Sequence, residues 1–109
     1  MNNNIFKSSK KVNRSYIDFV YDILKSYGEP RSKKSGMERT GIVQDTYGEI
    51  FDELVIKNML KKVKRHRNYD LWEITEKGRT FLINYDKMNT SISIMNSLLN
   101  SFSSDAFKY

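Results

Sequence analysis

Apolar residues recur at alternating intervals of four and three along the last third of the chain. This is the a/d pattern of a coiled-coil heptad, sustained for three repeats. It predicts a helix from Glu76 to about Phe102, which at about 1.5 Å per residue spans roughly 40 Å, too long for a small domain to cover. Because an unpaired stripe would leave a large apolar patch in water, we expect a homodimer. The stripe consists of Phe81, Tyr85, Met88, Ile92, Met95, Leu99 and Phe102.

The alternative is a helix that packs back on its own domain and exposes its far end. Asn89, Thr90, Ser91 and Ser93 form helices poorly, which weakens the middle of the stripe. Few charged residues flank its distal half, so the pattern leaves the orientation of the paired helices open.

The segment just before this helix combines strand and helix-start signals. Trp72 and Ile74 alternate with Glu73, the period of a strand with one buried face. Thr75 can accept a hydrogen bond from a free N–H group of the following helix, and Glu76 suits the positive end of its dipole. An apolar-polar pattern from residue 59 and a turn at 67–68 complete a two-stranded hairpin.

Three shorter helices are predicted ahead of the hairpin. The first runs over about 14–27, capped by Asn13 or Ser15, with its apolar stripe at Ile17, Val20, Tyr21 and Leu24. Two Ser/Thr-x-x-Glu capping boxes, at 35–38 and 46–49, predict helices near 36–44 and 47–57 with a turn at residue 45. Two helices joined by about three residues form a helix-turn-helix. The following hairpin is then its wing.

Size and composition restrict the class of protein. The 109 residues form one domain, 39% of them hydrophobic, between a flexible basic arm (1–12) and a loose end (103–109). We place the winged helix-turn-helix at 13–75 and the dimerisation helix at 76–102.

No cysteine is present and His66 is the only histidine, so no metal site or cofactor is expected. No apolar run approaches the roughly 18 residues of a membrane span, and no secretory signal is present. We expect a cytoplasmic protein without enzymatic activity.

The distribution of charge indicates the partner. The net charge is +6, and the densest positive run falls on the hairpin. Such a run can bind phosphates without reading sequence, although it can also be a solvated edge that prevents aggregation. The second helix of the pair instead carries several acids, so we expect binding through the DNA backbone or shape rather than base readout. The candidate contacts are Arg31, Lys33, Lys34, Gln44, Thr46, Tyr47, Lys61, Lys62, Lys64, Arg65 and Arg67.

The segment Trp-Glu-Ile-Thr-Glu-Lys-Gly-Arg-Thr-Phe-Leu at 72–82, together with this order of elements, resembles the small archaeal winged-helix DNA-binding proteins. In that group an aromatic-x-Ile-Thr-x-Lys-Gly segment closes the wing and starts the last helix. The resemblance covers roughly 13–102. It implies an α+β, mostly helical fold, dimerisation through an antiparallel C-terminal coiled coil, and DNA binding by the second helix of the pair and the wing.

The leading hypothesis is therefore a homodimeric, nucleoid-associated protein that binds double-stranded DNA as a transcription regulator or chromatin-like organiser. The alternative is a winged-helix module that binds another protein through its acidic helix and does not bind DNA. A third possibility is a repressor with a small-molecule pocket at the dimer interface, lined by Phe81 and Tyr85, although core packing explains these aromatic residues better.

Overall fold

The computed structural model describes the backbone of residues 14–106 and the side chains of residues 14–100. Over this range the chain forms a winged helix-turn-helix followed by a long helix, which confirms the predicted α+β, mostly helical class. The predicted arm (1–12), the cap candidate Asn13, the side chain of Phe102 and residues 107–109 lie outside the described part. The elements are α1 Tyr16–Ser26, α2 Lys33–Thr40, α3 Gln44–Ile56, β1 Leu60–His66, β2 Tyr69–Ile74 and α4 Glu76–Ala106.

The core lies where α1, α3 and the base of the hairpin meet. Phe51 of α3 is at its centre, with its ring 5.8 Å from Tyr27 and 5.1 Å, edge-on, from Trp72. Ile17, predicted to face the core, is 41% exposed, because the buried stripe of α1 runs through Ile23 instead. The buried apolar residues are Val20, Ile23, Leu24, Tyr27, Ile42, Tyr47, Ile50, Phe51, Leu54, Leu60 and Ile74.

Both helices of the helix-turn-helix begin three residues earlier than the sequence predicts. The Ser32 hydroxyl, not that of Ser35, caps α2 by accepting from the Ser35 N–H at 3.1 Å. Helix α2 ends at Gly41, whose φ of 69° is left-handed, and α3 then begins after Val43 without a side-chain cap. The two predicted capping boxes are therefore wrong. The three-residue connection and the helix-turn-helix are confirmed.

A close approach between helices explains the register of α2. Gly36 is buried on the inner face of this helix. A Cβ at this position would lie 2.5 Å from the Tyr47 hydroxyl oxygen and would also overlap the Tyr27 ring. Starting α2 at residue 33 brings glycine, the one residue without a Cβ, to this contact.

The hairpin is the predicted wing. Strands β1 and β2 pair antiparallel from Leu60–Ile74 to His66–Tyr69, with a bulge between Lys62 and Lys64. The turn at residues 67–68 puts Arg67 at φ 57°, a conformation that favours glycine. Asn58, predicted to adopt the left-handed conformation after α3, has φ 63°.

The junction between the wing and α4 is held by Thr75. Its hydroxyl donates to the Asn58 carbonyl at 2.7 Å and accepts from the Gly78 N–H at 3.1 Å, which confirms the predicted cap. Its own N–H donates to the Met59 carbonyl at 3.0 Å. Gly78 packs so closely that a Cβ there would lie 2.7 Å from the same carbonyl oxygen. The end of α3, the base of the wing and the start of α4 are thereby fixed together.

Helix α4 has a part attached to the rest of the chain and a part that projects from it. Phe81 and Leu82 pack against the core, whereas every side chain from Asp86 to Asn100 is exposed. We call residues 16–82 the head and residues 86–106 the rod. The helix continues to Ala106, beyond the predicted end at Phe102. Within the described residues, no helix is both long and apolar enough for a membrane span.

Replacing Thr75 by valine should lower the free energy of unfolding by about 2 kcal/mol, because the Asn58 carbonyl and the Gly78 N–H lose their partner. Urea unfolding followed by circular dichroism measures this loss. Thr75→Ser is the matched control, since it keeps the hydroxyl and should retain most of the stability. Equal losses in the two variants would show that the hydroxyl does not hold the junction.

Candidate nucleic-acid interface

The bulge in β1 determines which cations of the wing share a face. Lys61 is paired with Glu73 and Lys64 with Leu71. Paired residues share a face of a hairpin, and alternate residues of β2 also share one. Lys61 and Lys64 therefore lie on the same face although they are three residues apart. In a regular strand, residues three positions apart lie on opposite faces. The bulge at Val63 adds one residue to β1, and this brings Lys61 and Lys64 to the same face.

The other face of the wing is partly neutralised. Lys62 Nζ lies 3.9 Å from the Asp70 carboxylate, and Arg65 Nη1 lies 3.1 Å from it. Among the described residues, Lys61, Lys64 and Arg67 form no ion pair. All five side chains of the run are exposed. The face of Lys61 and Lys64 also holds Glu73, so each face has two cations and one acid, but only on the face of Lys62 and Arg65 do they form ion pairs among the described residues.

The start of α2 lies beside the base of the wing. Arg31 forms two backbone hydrogen bonds with Trp72 of β2, at 2.9 and 2.7 Å. Its side chain is tied down as well, because Nε donates to the Ser26 carbonyl at 2.5 Å. Lys33 and Lys34 follow and are exposed. Arg31 thus connects α2 to the wing, and of the three cations of this segment only Lys34 forms no ion pair or side-chain hydrogen bond among the described residues.

Lys33 spans the space between α2 and α3. Its Nζ lies 3.7 Å from the Asp52 carboxylate and 5.0 Å from the centre of the Phe51 ring. Lys33, Lys34 and Gln44 line a groove of about 650 Å³ between the two helices. These three predicted contact residues therefore share one surface, which Asp45 of α3 also lines.

Thr46 lies elsewhere. It is half-buried in a separate depression that Tyr16 and Phe19 also line. Helix residues rotate by about 100° each, so Thr46 and Gln44 point about 200° apart. The predicted grouping of the two rested on a helix that began three residues later, and it is wrong.

Tyr47 was also expected at the surface, and this is wrong, because its side chain is 1% exposed. Its hydroxyl lies 2.7 Å from the Tyr27 hydroxyl, which donates to the Ser32 carbonyl at 3.2 Å. Burial raises the pKa of Tyr27 to about 12 and raises the pKa of Tyr47 as well. Both hydroxyls therefore stay protonated at neutral pH. Tyr47 supports the start of α2 from within the core.

The exposed side of α3 is acidic. Asp45, Glu49 and Asp52 lie opposite the buried face of this helix and are exposed. No Lys or Arg occurs between Gln44 and Ile56, and the Lys33 contact offsets only one of the acids. This side would repel the phosphates that flank a DNA groove.

Two features of this surface were not found by sequence reasoning. One is Asp70, which forms ion pairs with two wing cations and so neutralises them in part. Its place opposite Arg65 across the turn was a signal for this pairing. The other is the bulge, for which the sequence carries no glycine or other marker near Val63.

No family model matches the chain, and no curated protein matches it. Solved structures do match. Sso10a-2, a DNA-binding protein from Sulfolobus solfataricus, aligns with a TM-score of 0.70 and 21% identity over 84% of this chain and 95% of its own. BldR, a transcriptional regulator from the same organism, aligns with a TM-score of 0.61 and 24% identity over 97% of this chain and 89% of its own.

A MarR family regulator from Neisseria meningitidis is also similar, with a TM-score of 0.55 and 16% identity over 83% of this chain and 66% of its own. The alignment with Sso10a-2 covers 84% of this chain, more than the head and the residues before it together, so the likeness extends into the long helix. The chain has the winged-helix fold of these proteins.

Proposed function

We propose that the protein is a homodimer that binds double-stranded DNA as a transcription regulator or chromatin-like organiser, associated with the nucleoid in the cytoplasm. The DNA-binding surface is a basic rim formed by the wing and the start of α2. Lys61 and Lys64 carry this proposal, because they share one exposed face and form no ion pair among the described residues. The basic rim consists of Lys33, Lys34, Lys61, Lys62, Lys64, Arg65 and Arg67.

The fold supports this proposal. Sso10a-2 is named a DNA-binding protein and BldR a transcriptional regulator, and this chain shares their architecture. Lys and Arg on a projecting hairpin neutralise phosphates and release counterions, which gives affinity for any sequence.

The acids of α3 restrict how the head approaches DNA. A helix that inserts squarely into the major groove brings its exposed side close to both phosphate backbones. Asp45, Glu49 and Asp52 oppose that arrangement. We therefore place DNA against the wing and the start of α2, with Gln44 the one candidate for a base contact. Binding of this kind depends on backbone contacts and duplex shape, and it discriminates weakly between sequences.

The rod supplies the dimer interface in this proposal. Met88, Ile92, Met95 and Leu99 form one stripe along the rod and are 45–60% exposed. Phe81 and Tyr85, at the start of the predicted stripe, contact the head instead. The proposed seam therefore begins at Met88, and pairing it with a second copy would remove an apolar patch from water.

A protein-binding module is the second candidate. Three exposed acids and no base on α3 fit a basic protein surface better than DNA. This candidate predicts a stoichiometric complex with a basic protein and no affinity for duplex DNA at low salt.

Affinity for duplex DNA should fall steeply with salt and should depend on the basic rim. Substituting Lys61, Lys64 and Arg67 by glutamine should flatten the slope of log affinity against log salt by roughly 0.9 for each phosphate that is no longer neutralised. Mobility shifts over a salt series, with one defined duplex and one random duplex, measure the slope. Similar slopes for the two duplexes are expected, because few bases are read.

The matched control neutralises Arg39, Arg79 and Lys87, three exposed cations outside the basic rim. It changes the net charge by the same amount and should leave the slope nearly unchanged. If the two triple variants bound DNA equally weakly, the basic rim would have no special role. If the wild type did not bind at low salt, the second candidate would replace this proposal.

Charge placed in the seam should dissociate the dimer. Asp at Ile92 and Met95 would bury carboxylates between the paired helices, so sedimentation equilibrium should give the mass of one chain. Thr90→Asp with Ser97→Asp is the control, because both residues lie about 170° around the helix from the seam, and this variant should leave the dimer intact. A wild-type protein that sediments as a monomer would refute the proposed dimer.

A further inference from the structure

Two tyrosines and two aspartates join α1 to α4 in a reciprocal arrangement. The Tyr21 hydroxyl of α1 donates to Asp86 of α4 at 3.0 Å, and the Tyr85 hydroxyl of α4 donates to Asp18 of α1. The two tyrosine rings stack between these hydrogen bonds, with centroids 4.2 Å apart and planes inclined by 23°. We call these four residues the tyrosine clasp. Each helix contributes one donor and one acceptor, so the clasp fixes the rotation of α4 about its axis as well as its distance from α1.

Asp18 is held in place by its own helix as well as by α4. One carboxylate oxygen accepts from the Ser15 N–H at 3.0 Å, and the Asp18 N–H donates to the Ser15 hydroxyl at 3.3 Å, a capping box at the start of α1. The other oxygen accepts from Tyr85. This hydrogen bond lowers the pKa of Asp18 and raises the pKa of Tyr85. At neutral pH the pair is therefore a phenol bound to a carboxylate, which is a charge-assisted hydrogen bond.

The clasp lies where α4 leaves the head. Phe81 and Leu82, one turn earlier, are packed against the core. Beyond Asp86 every described side chain of the rod is exposed. The clasp is thus the final hydrogen-bonded contact between the head and the rod among the described residues.

The geometry points to the tyrosine clasp as the element that sets the angle between the head and the rod, and so the separation of the two DNA-binding heads in a dimer. This inference rests on the proposed function for its effect on DNA. A duplex presents its phosphates at fixed spacing. Two heads held at a fixed angle lose less conformational freedom than two mobile heads when both bind one duplex, so they bind it more tightly. Tyr21, Tyr85, Asp18 and Asp86 are positioning residues in this role and do not touch DNA.

The angle can be measured in the full chain, because it contains no cysteine that would compete for labels. Spin labels at Glu38→Cys on the head and Ser97→Cys on the rod report their separation by double electron–electron resonance. Dilution with excess unlabelled protein restricts the signal to pairs within one chain. The wild type should give one narrow distance distribution, and Tyr21→Phe with Tyr85→Phe should broaden it. Tyr16→Phe, which removes an exposed hydroxyl outside the clasp, should leave it narrow.

Thermal unfolding and DNA affinity separate positioning from simple stability. The double variant should unfold at nearly the wild-type temperature yet bind duplex DNA several-fold more weakly. If the double variant folds poorly, Asp86→Ala serves in its place. It removes the Tyr21–Asp86 hydrogen bond by a change on the exposed rod, and it should also broaden the distance distribution. If both variants kept a narrow distance distribution, the inference would be overturned. It would also be overturned if a well-folded variant with a broadened distribution bound DNA as tightly as the wild type. If wild-type protein did not bind DNA, the proposed function would fail, while broadening on removal of the clasp would still support its control of the angle.

Discussion

The hydrogen bonds around Thr75 are the constraint on which the rest of the structure depends. Through one side chain and one backbone N–H, Thr75 joins the residues that follow α3 to the first turn of α4. The neighbouring Ile74 N–H donates to the Tyr27 carbonyl at the end of α1, at 3.0 Å. Ile74 and Thr75 therefore connect three helices (α1, α3 and α4) at the base of the wing. A two-stranded hairpin is marginal by itself, and this junction gives it a fixed position on the helices.

The positions of the charged side chains depend on this junction. The junction fixes the wing, the bulge then brings Lys61 and Lys64 to one face, and the Arg31–Trp72 bridge brings Lys33 and Lys34 close to its base. Asp52 of α3 contacts Lys33, and Asp45 lines the groove that Lys33 and Lys34 also line, so the acids border these cations. In the proposed function, the head presents cations for phosphate contact beside an acidic helix that would repel DNA. Affinity without strong sequence preference is the expected consequence, and the rod and the tyrosine clasp would add to it by presenting two heads together.

The sequence predicted the fold better than the site. The strand alternation at Trp72–Ile74, the Thr75 cap and the apolar stripe of α4 are local patterns, and all three appear in the structure. The start of α2 was not predictable from capping signals, because Ser32 and Ser35 are both good caps and the choice depends on the long-range contact at Gly36. That shift of three residues moved Thr46 and Tyr47 out of the predicted interface. Tyr85 fitted the coiled-coil stripe, and its partner Asp18 is distant in sequence, so the clasp left no local signal.

The proposed position of DNA against the basic rim is tested most directly by titrating nitrogen-15-labelled protein with duplex DNA and following the amide chemical shifts. The largest changes are expected in the wing at 61–67 and at the start of α2, with Gln44 at the margin. The amide of Glu49 should change little, because the proposed position keeps this part of α3 away from the duplex. Largest changes along that part of α3, or no changes at low salt, would contradict the proposed position.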